Sequence, residues 1–124
     1  MKNINSLTEL ILRYAFKVHS ALGPGLLESS YKECLYYELV NADLIVEKEK
    51  ALPIIYEKIK LEVGYRIDLL VEKQVIIEIK AVEALNDVHT AQVLKYLKLS
   101  GCRVGLLLNF NTSSLKNGIK RLML

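Results

Sequence analysis

The chain of 124 residues has no Trp, only two Phe, two Pro and two Cys, and no acidic residue after Asp87. Each scarcity excludes something. So little Pro, set against 52% hydrophobic and 25% charged residues, excludes a Pro-rich linker or a disordered tail and predicts one compact domain over residues 1–124. Cys34 and Cys102 lie far apart and form no CxxC, which excludes a zinc ribbon or redox pair and suits a reducing setting with both thiols buried. No apolar run approaches the ~20 residues that cross a bilayer. The opening MKNINSLTEL lacks the apolar stretch of a secretory signal, so a cytoplasmic protein with no membrane partner is expected. Residues 1–87 hold 11 Lys/Arg against all 14 acids, whereas residues 88–124 hold six Lys/Arg and none, so the net charge of +3 conceals a basic C-terminal third. That asymmetry permits a polyanionic partner, although basic side chains scattered over a solvated surface give the same count.

Ser6 and Glu9 have capping-box spacing, and Leu7, Leu10, Ile11, Tyr14, Ala15, Val18 and Leu22 recur at helical spacing, which predicts a helix over Leu7–Leu22. Gly23-Pro24-Gly25 ends it. A second helix is predicted over Leu27–Asn41, with Glu28 in its first turn, where a carboxylate suits the helix dipole. Three extended segments rich in Ile, Val and Tyr follow, Ile45–Tyr56, Lys60–Val71 and Val75–Val82, expected as antiparallel neighbours, with Pro53 marking an edge or a bulge. Helical spacing returns over Asn86–Leu99 and stops at Gly101. The apolar run within Arg103–Phe110 reads as a buried central or parallel strand, and Ser113–Leu124 fits either a short strand or a helical turn.

Chemistry concentrates between Tyr65 and Lys80. If Glu72, Lys73 and Gln74 form a three-residue loop, Val71 faces Val75 and Asp68 falls opposite Glu78. Alternation then sets Lys80 on the face of Glu78, with Ile77 and Ile79 pointing the other way. Like charges opposed across a strand pair are destabilising, and Leu70 and Ile76 would share their face, so a compensating group is expected. Mg²⁺, with Mn²⁺ as a substitute, suits such hard oxygen ligands and would polarise a phosphoryl oxygen, while Lys80 could position an attacking water. Spacing alone fits equally an ordinary cross-strand ion-pair cluster on a wet sheet face.

Asp68, followed after nine residues by Glu78-Ile79-Lys80, resembles the D…ExK signature of the PD-(D/E)XK nuclease superfamily. Gln92-Val93-Leu94-Lys95-Tyr96 resembles the QxxxY element that one branch carries on the helix after the third strand. Gly25-Leu26-Leu27-Glu28-Ser29-Ser30-Tyr31 is similar to the name-giving motif of the GxxExxY protein family, a small branch of that superfamily. His19 before Leu22-Gly23-Pro24-Gly25, and Arg103-Val104-Gly105-Leu106-Leu107 with Asn109-Phe110, extend the likeness over residues 7–111. The proline of the superfamily's name is missing, since Arg66-Ile67 precede Asp68, but that position is no metal ligand.

The resemblance implies an α/β fold with an αβββαβ core, an extra N-terminal helix and a mixed central sheet flanked by helices. It also implies metal binding by Asp68, Glu78 and the Ile79 carbonyl. Lys80, Glu28 and Gln92 would be catalytic, Lys80 serving the hydrolytic water, Glu28 adding a carboxylate and Gln92 orienting Lys80 or a phosphate. Tyr96, His89, Lys95 and Arg103 become candidates for substrate binding, with Lys98 beside them; for His89 a capping role competes, and for Tyr96 a place in the core. The implied activity is Mg²⁺-dependent phosphodiester hydrolysis of nucleic acid, DNA ahead of RNA, by a chain that forms a homodimer. The alternative is a catalytically silent module of the same fold that binds nucleic acid or a protein. His19 and His89 have no partner at ligand spacing, so zinc is not expected.

Overall fold

The computed structural model describes residues 3–62 and 64–124. Helix α1 spans Ile4–Leu22 and α2 spans Glu28–Asn41. The first begins earlier than predicted because Asn3, rather than Ser6, caps it, its side chain accepting from the Asn5 and Ser6 amides. Strands β1 (Val46–Ala51), β2 (Ile54–Tyr56), β3 (Ile59–Leu61), β4 (Arg66–Val71) and β5 (Val75–Lys80) follow. Helix α3 runs Asp87–Ser100, from an Asn86 cap to Gly101, whose left-handed φ of 81° closes it where the sequence predicts. Strands β6 (Val104–Asn109) and β7 (Ile119–Met123) end the chain, with a 3₁₀ turn over Leu115–Gly118 between them. The tail thus holds both of the elements that its sequence leaves open.

Five strands form one sheet in the order β1-β4-β5-β6-β7. β5 and β6 are parallel and the other neighbours antiparallel. The sheet is therefore mixed, and β6 is the fully buried parallel strand expected. Hydrophobic side chains on its two faces make two cores. Leu69, Val71, Ile77, Ile79, Leu106 and Leu108 pack against α1 and α2, while Leu70, Ile76 and Leu107 pack against Val93, Tyr96 and Leu97 of α3. Helices thus cover both faces. α3 lies so close over β6 that a Cβ on Gly105 would stand 2.7 Å from Val93 Cγ1.

The core order αβββαβ with a leading helix is present, with one insertion and one addition. Two expected strands are each split: Pro53 ends the first, and β2 and β3 pair only with each other, as a separate hairpin outside the main sheet. Val63, inside the predicted strand Lys60–Val71, lies outside the described residues. β7 adds an antiparallel edge. Both cysteines are half-buried rather than buried, Cys34 in α2 and Cys102 ahead of β6.

Candidate active site

The β4–β5 hairpin fixes the centre of the site. Its register, Leu69–Ile77, Leu70–Ile76 and Val71–Val75, is the one the three-residue loop demands, and main-chain pairing stops just before Asp68 and Glu78. On the other side, β1 pairs Lys48 with Leu69 and Lys50 with Ile67, passing over Glu49 and Asp68, where Glu49 takes a left-handed φ of 53°. The alternation of β4 breaks at the same point. Ile67 and Leu70 both enter the core under α3, while Leu69 and Val71 enter the opposite one. Asp68 therefore sits in a local opening of the sheet.

Side chains bridge this opening. The Asp68 amide donates to Glu78 Oε1 at 3.0 Å, and the Ile79 amide donates to Asp68 Oδ2 at 2.8 Å. Each carboxyl spends one oxygen on the other strand's main chain. A strand residue sends its N–H and C=O to the same side, so the Ile79 carbonyl also faces β4.

Both carboxyls titrate above their ordinary range. Burial is the main cause for each, and for Glu78, only 3% exposed, the neighbouring Asp68 charge adds to it and pushes its pKa up to about 8. For Asp68 the Ile79 amide and then the Lys32 and Lys80 ammonium groups oppose the rise. Burial, and for Glu78 also the repulsion of the Asp68 charge, thus favour a proton on the pair over two buried charges. Two carboxyl groups and a carbonyl facing the same gap are hard oxygen donors of the kind a divalent cation would take. Among the described residues no three His, Cys, Asp or Glu side chains converge as a metal-binding set, so Glu28 does not complete a carboxylate triad in this structure.

Glu28 is instead exposed at the start of α2 and shares with Asp68 a cavity of about 320 Å³, lined also by Leu27, Ser29 and Lys32. The turn before it is held firmly. Tyr31 Oη donates to the Gly23 carbonyl at 2.6 Å and accepts from the Leu26 amide at 3.1 Å. The Gly25 amide, at a φ of 101° that favours glycine, donates to Asn111 Oδ1 at 3.1 Å. The spacing of Gly25, Glu28 and Tyr31 thus has a mechanical meaning: a turn, the group it presents and the hydroxyl that braces it.

The other sequence candidates divide. Lys80 is half-buried, and its charge reaches both Asp68 and Glu78. Gln92 Nε2 donates to Tyr96 Oη at 3.2 Å, which replaces the expected contact with Lys80. Tyr96 is 5% exposed, and burial together with the nearby Glu78 charge raises its phenol pKa, so it belongs to the wall of the site. His89 takes the competing capping role with one ring nitrogen: its Nδ1 accepts from the Asn86 amide at 3.1 Å in a reciprocal cap of α3, which leaves the Nε2–H as a donor. Lys95 is exposed on α3. Arg103 lies at the wrong end of the sheet, because it precedes Val104, the partner of Val75, whereas Lys80 pairs with Asn109. Five residues of strand, about 17 Å, separate the two ends.

Sequence reasoning missed two residues. Lys32 faces Asp68 from α2, and its spacing of four residues from Glu28 is the signal that could have found it. Asn109 is 2% exposed; its Nδ2 donates to the Val82 carbonyl at 2.9 Å, and its Oδ1 accepts from the Val82 amide at 3.1 Å. With the Phe110 amide on the Lys80 carbonyl at 2.9 Å, it fixes the chain on both sides of Ala81. A lone amide ending an apolar run was the available cue.

Among the described residues no helix is long and apolar enough to cross a membrane. A family model described as the PD-(D/E)XK nuclease superfamily matches residues 5–122. No curated protein and no solved structure matches the chain.

Proposed function

The chain belongs to the PD-(D/E)XK nuclease superfamily, and from that premise we propose that it is a divalent-metal-dependent nuclease acting at Asp68, Glu78 and Lys80. One observation carries the reading. Two buried carboxyls meet at the end of a hairpin, each tied to the opposite strand, with an ammonium group beside them. A structural ion-pair cluster has little reason to bury one carboxyl to 3% exposure and set a second, half-buried one against it.

Asp68, Glu78 and the Ile79 carbonyl would hold the cation, Mg²⁺ with Mn²⁺ as its substitute. When bound, it supplies Lewis-acid polarisation of a phosphoryl oxygen and a more acidic water. The protein's own work is positional. The Asp68 and Ile79 amides aim the two carboxyls, Asn109 and Phe110 hold the strand end that carries Lys80, and the Lys80 ammonium orients the attacking water and meets charge developing on the phosphate. Tyr96, fixed by Gln92, closes the α3 side against water. Glu28 stands across the cavity from Asp68, within the region that substrate must enter.

The proposed substrate is nucleic acid, DNA ahead of RNA. The test is cleavage of DNA and RNA, single- and double-stranded, in Mg²⁺ or Mn²⁺. Wild type should cut, and Asp68→Ala and Lys80→Ala should each lose more than about 100-fold. Equal residual activity in all three proteins would refute the reading. Binding that ignores divalent cations, with no strand cut, would favour a silent binding module instead.

A further inference from the structure

Lys32 is the cation that nothing in the catalytic reading uses. It lies one turn after Glu28 on α2 and lines the same 320 Å³ cavity as Asp68. Its side chain is 14% exposed, and its Nζ stands 3.2 Å from Glu49 Oε1. Glu49, with 53% of its side chain exposed, occupies the gap in β1 beside Asp68. We propose that Lys32 is a phosphate-binding residue of the active site, paired with Glu49 in this structure and transferred to a substrate phosphate when nucleic acid enters the cavity between α2 and Asp68. This rests on the nuclease reading above.

Two observations support it beyond position. Glu49 is half in water and can be left solvated, while the largely covered Lys32 ammonium would exchange one anionic oxygen for another rather than stand unpaired. The pair is also not needed to tie α2 to β1, since Lys48 Nζ already reaches Glu33 Oε1 at 2.7 Å between the same two elements. Two ammonium groups face Asp68, Lys80 from β5 and Lys32 from α2. An incoming phosphate diester meets Glu28, Asp68, Glu78 and Glu49 in this region, and a flexible point charge of the opposite sign on the open side is the group that admits it.

Binding of a short fluorescein-labelled DNA duplex, read by anisotropy with Ca²⁺ replacing Mg²⁺ to suppress cleavage, tests the inference. Lys32→Ala should weaken binding about tenfold. It should also reduce the steepness of log K against log salt by about 0.9. Lys32→Arg should restore most of both, and Glu49→Gln, which frees the ammonium, should bind at least as tightly as wild type. Should Lys32→Ala keep the wild-type affinity and salt slope, while it and Glu49→Gln lose equal thermal stability, Lys32 is only a strut and the inference falls although the nuclease reading stands. A wild-type chain that neither binds DNA nor cuts it in Mg²⁺ or Mn²⁺ overturns the nuclease reading and this one with it.

Discussion

Replacing Glu78 with Gln isolates the electrostatic cost of the carboxyl pair. The folded protein holds the Glu78 proton up to a pKa of about 8, against 4.5 for an unperturbed carboxyl. A carboxyl whose pKa rises on folding favours the folded state while protonated. Its contribution is complete below about pH 4.5 and is lost as pH rises through about 8. Between those limits stability should fall by about 1.4 kcal/mol per pH unit, with a ceiling of about 4 kcal/mol between pH 5 and 8. Asp68, also raised, acts in the same direction. A Gln at this position keeps a carbonyl oxygen for the Asp68 amide and offers N–H groups to the Asp68 carboxylate, but has no proton to lose. Urea unfolding in EDTA, followed by circular dichroism from pH 5 to 9, should show wild type losing stability with pH and Glu78→Gln nearly level. At pH 8 the variant should be the more stable by about 2–4 kcal/mol, on the order of 10 °C in Tm. Mg²⁺ should then stabilise wild type more at pH 8 than at pH 5, since it must displace the proton, and do little for the variant. A flat wild-type profile, or a variant less stable than wild type at pH 8, would refute the reasoning.

Two further substitutions probe the scaffold that aims the site. Gly118→Ala would place a Cβ 2.3 Å from the Asn109 carbonyl oxygen, which is main chain and cannot swing aside. A loss of about 2–3 kcal/mol in urea unfolding is expected, and a Tm within about 4 °C of wild type, roughly the smallest shift such a loss allows, would contradict the close approach. Tyr31→Phe keeps the stack on Phe110, centroids 4.7 Å apart, but removes both hydroxyl bonds to the Gly23–Leu26 turn. It should lower stability by about 1–2 kcal/mol and raise amide exchange at Leu26; unchanged exchange there would show that the hydroxyl does not brace the turn.

Wherever a local rule decides the outcome, the sequence was informative. The loop Glu72–Gln74 and the alternation around it set the β4–β5 register, because a slip of one residue would exchange the two faces and carry Glu78 into the apolar core of Ile77 and Ile79. Gly101 marked the end of α3 for the same reason, since a left-handed closure favours glycine. The sequence was less informative where a side chain had more than one available partner. Gln92 was expected on Lys80 or a phosphate and bonds Tyr96, while His89 was left between a phosphate and a cap and caps α3, contacts that only the packed arrangement shows. Arg103 failed for another reason. A basic residue next to the right strand in sequence can stand at its far end, and charge counting carries no direction along a strand. Nor could periodicity show that β2 and β3 leave the sheet, since a hairpin pairing only with itself has the same alternation as one inside it.

The Asn109 amide pairs with both polar groups of Val82 as a neighbouring strand would. One residue therefore terminates β5 without help from whatever comes next. The connection from Glu83 to Asn86 is thereby decoupled from the ammonium three positions upstream of its start, so it can change in length or composition and leave the reactive geometry undisturbed.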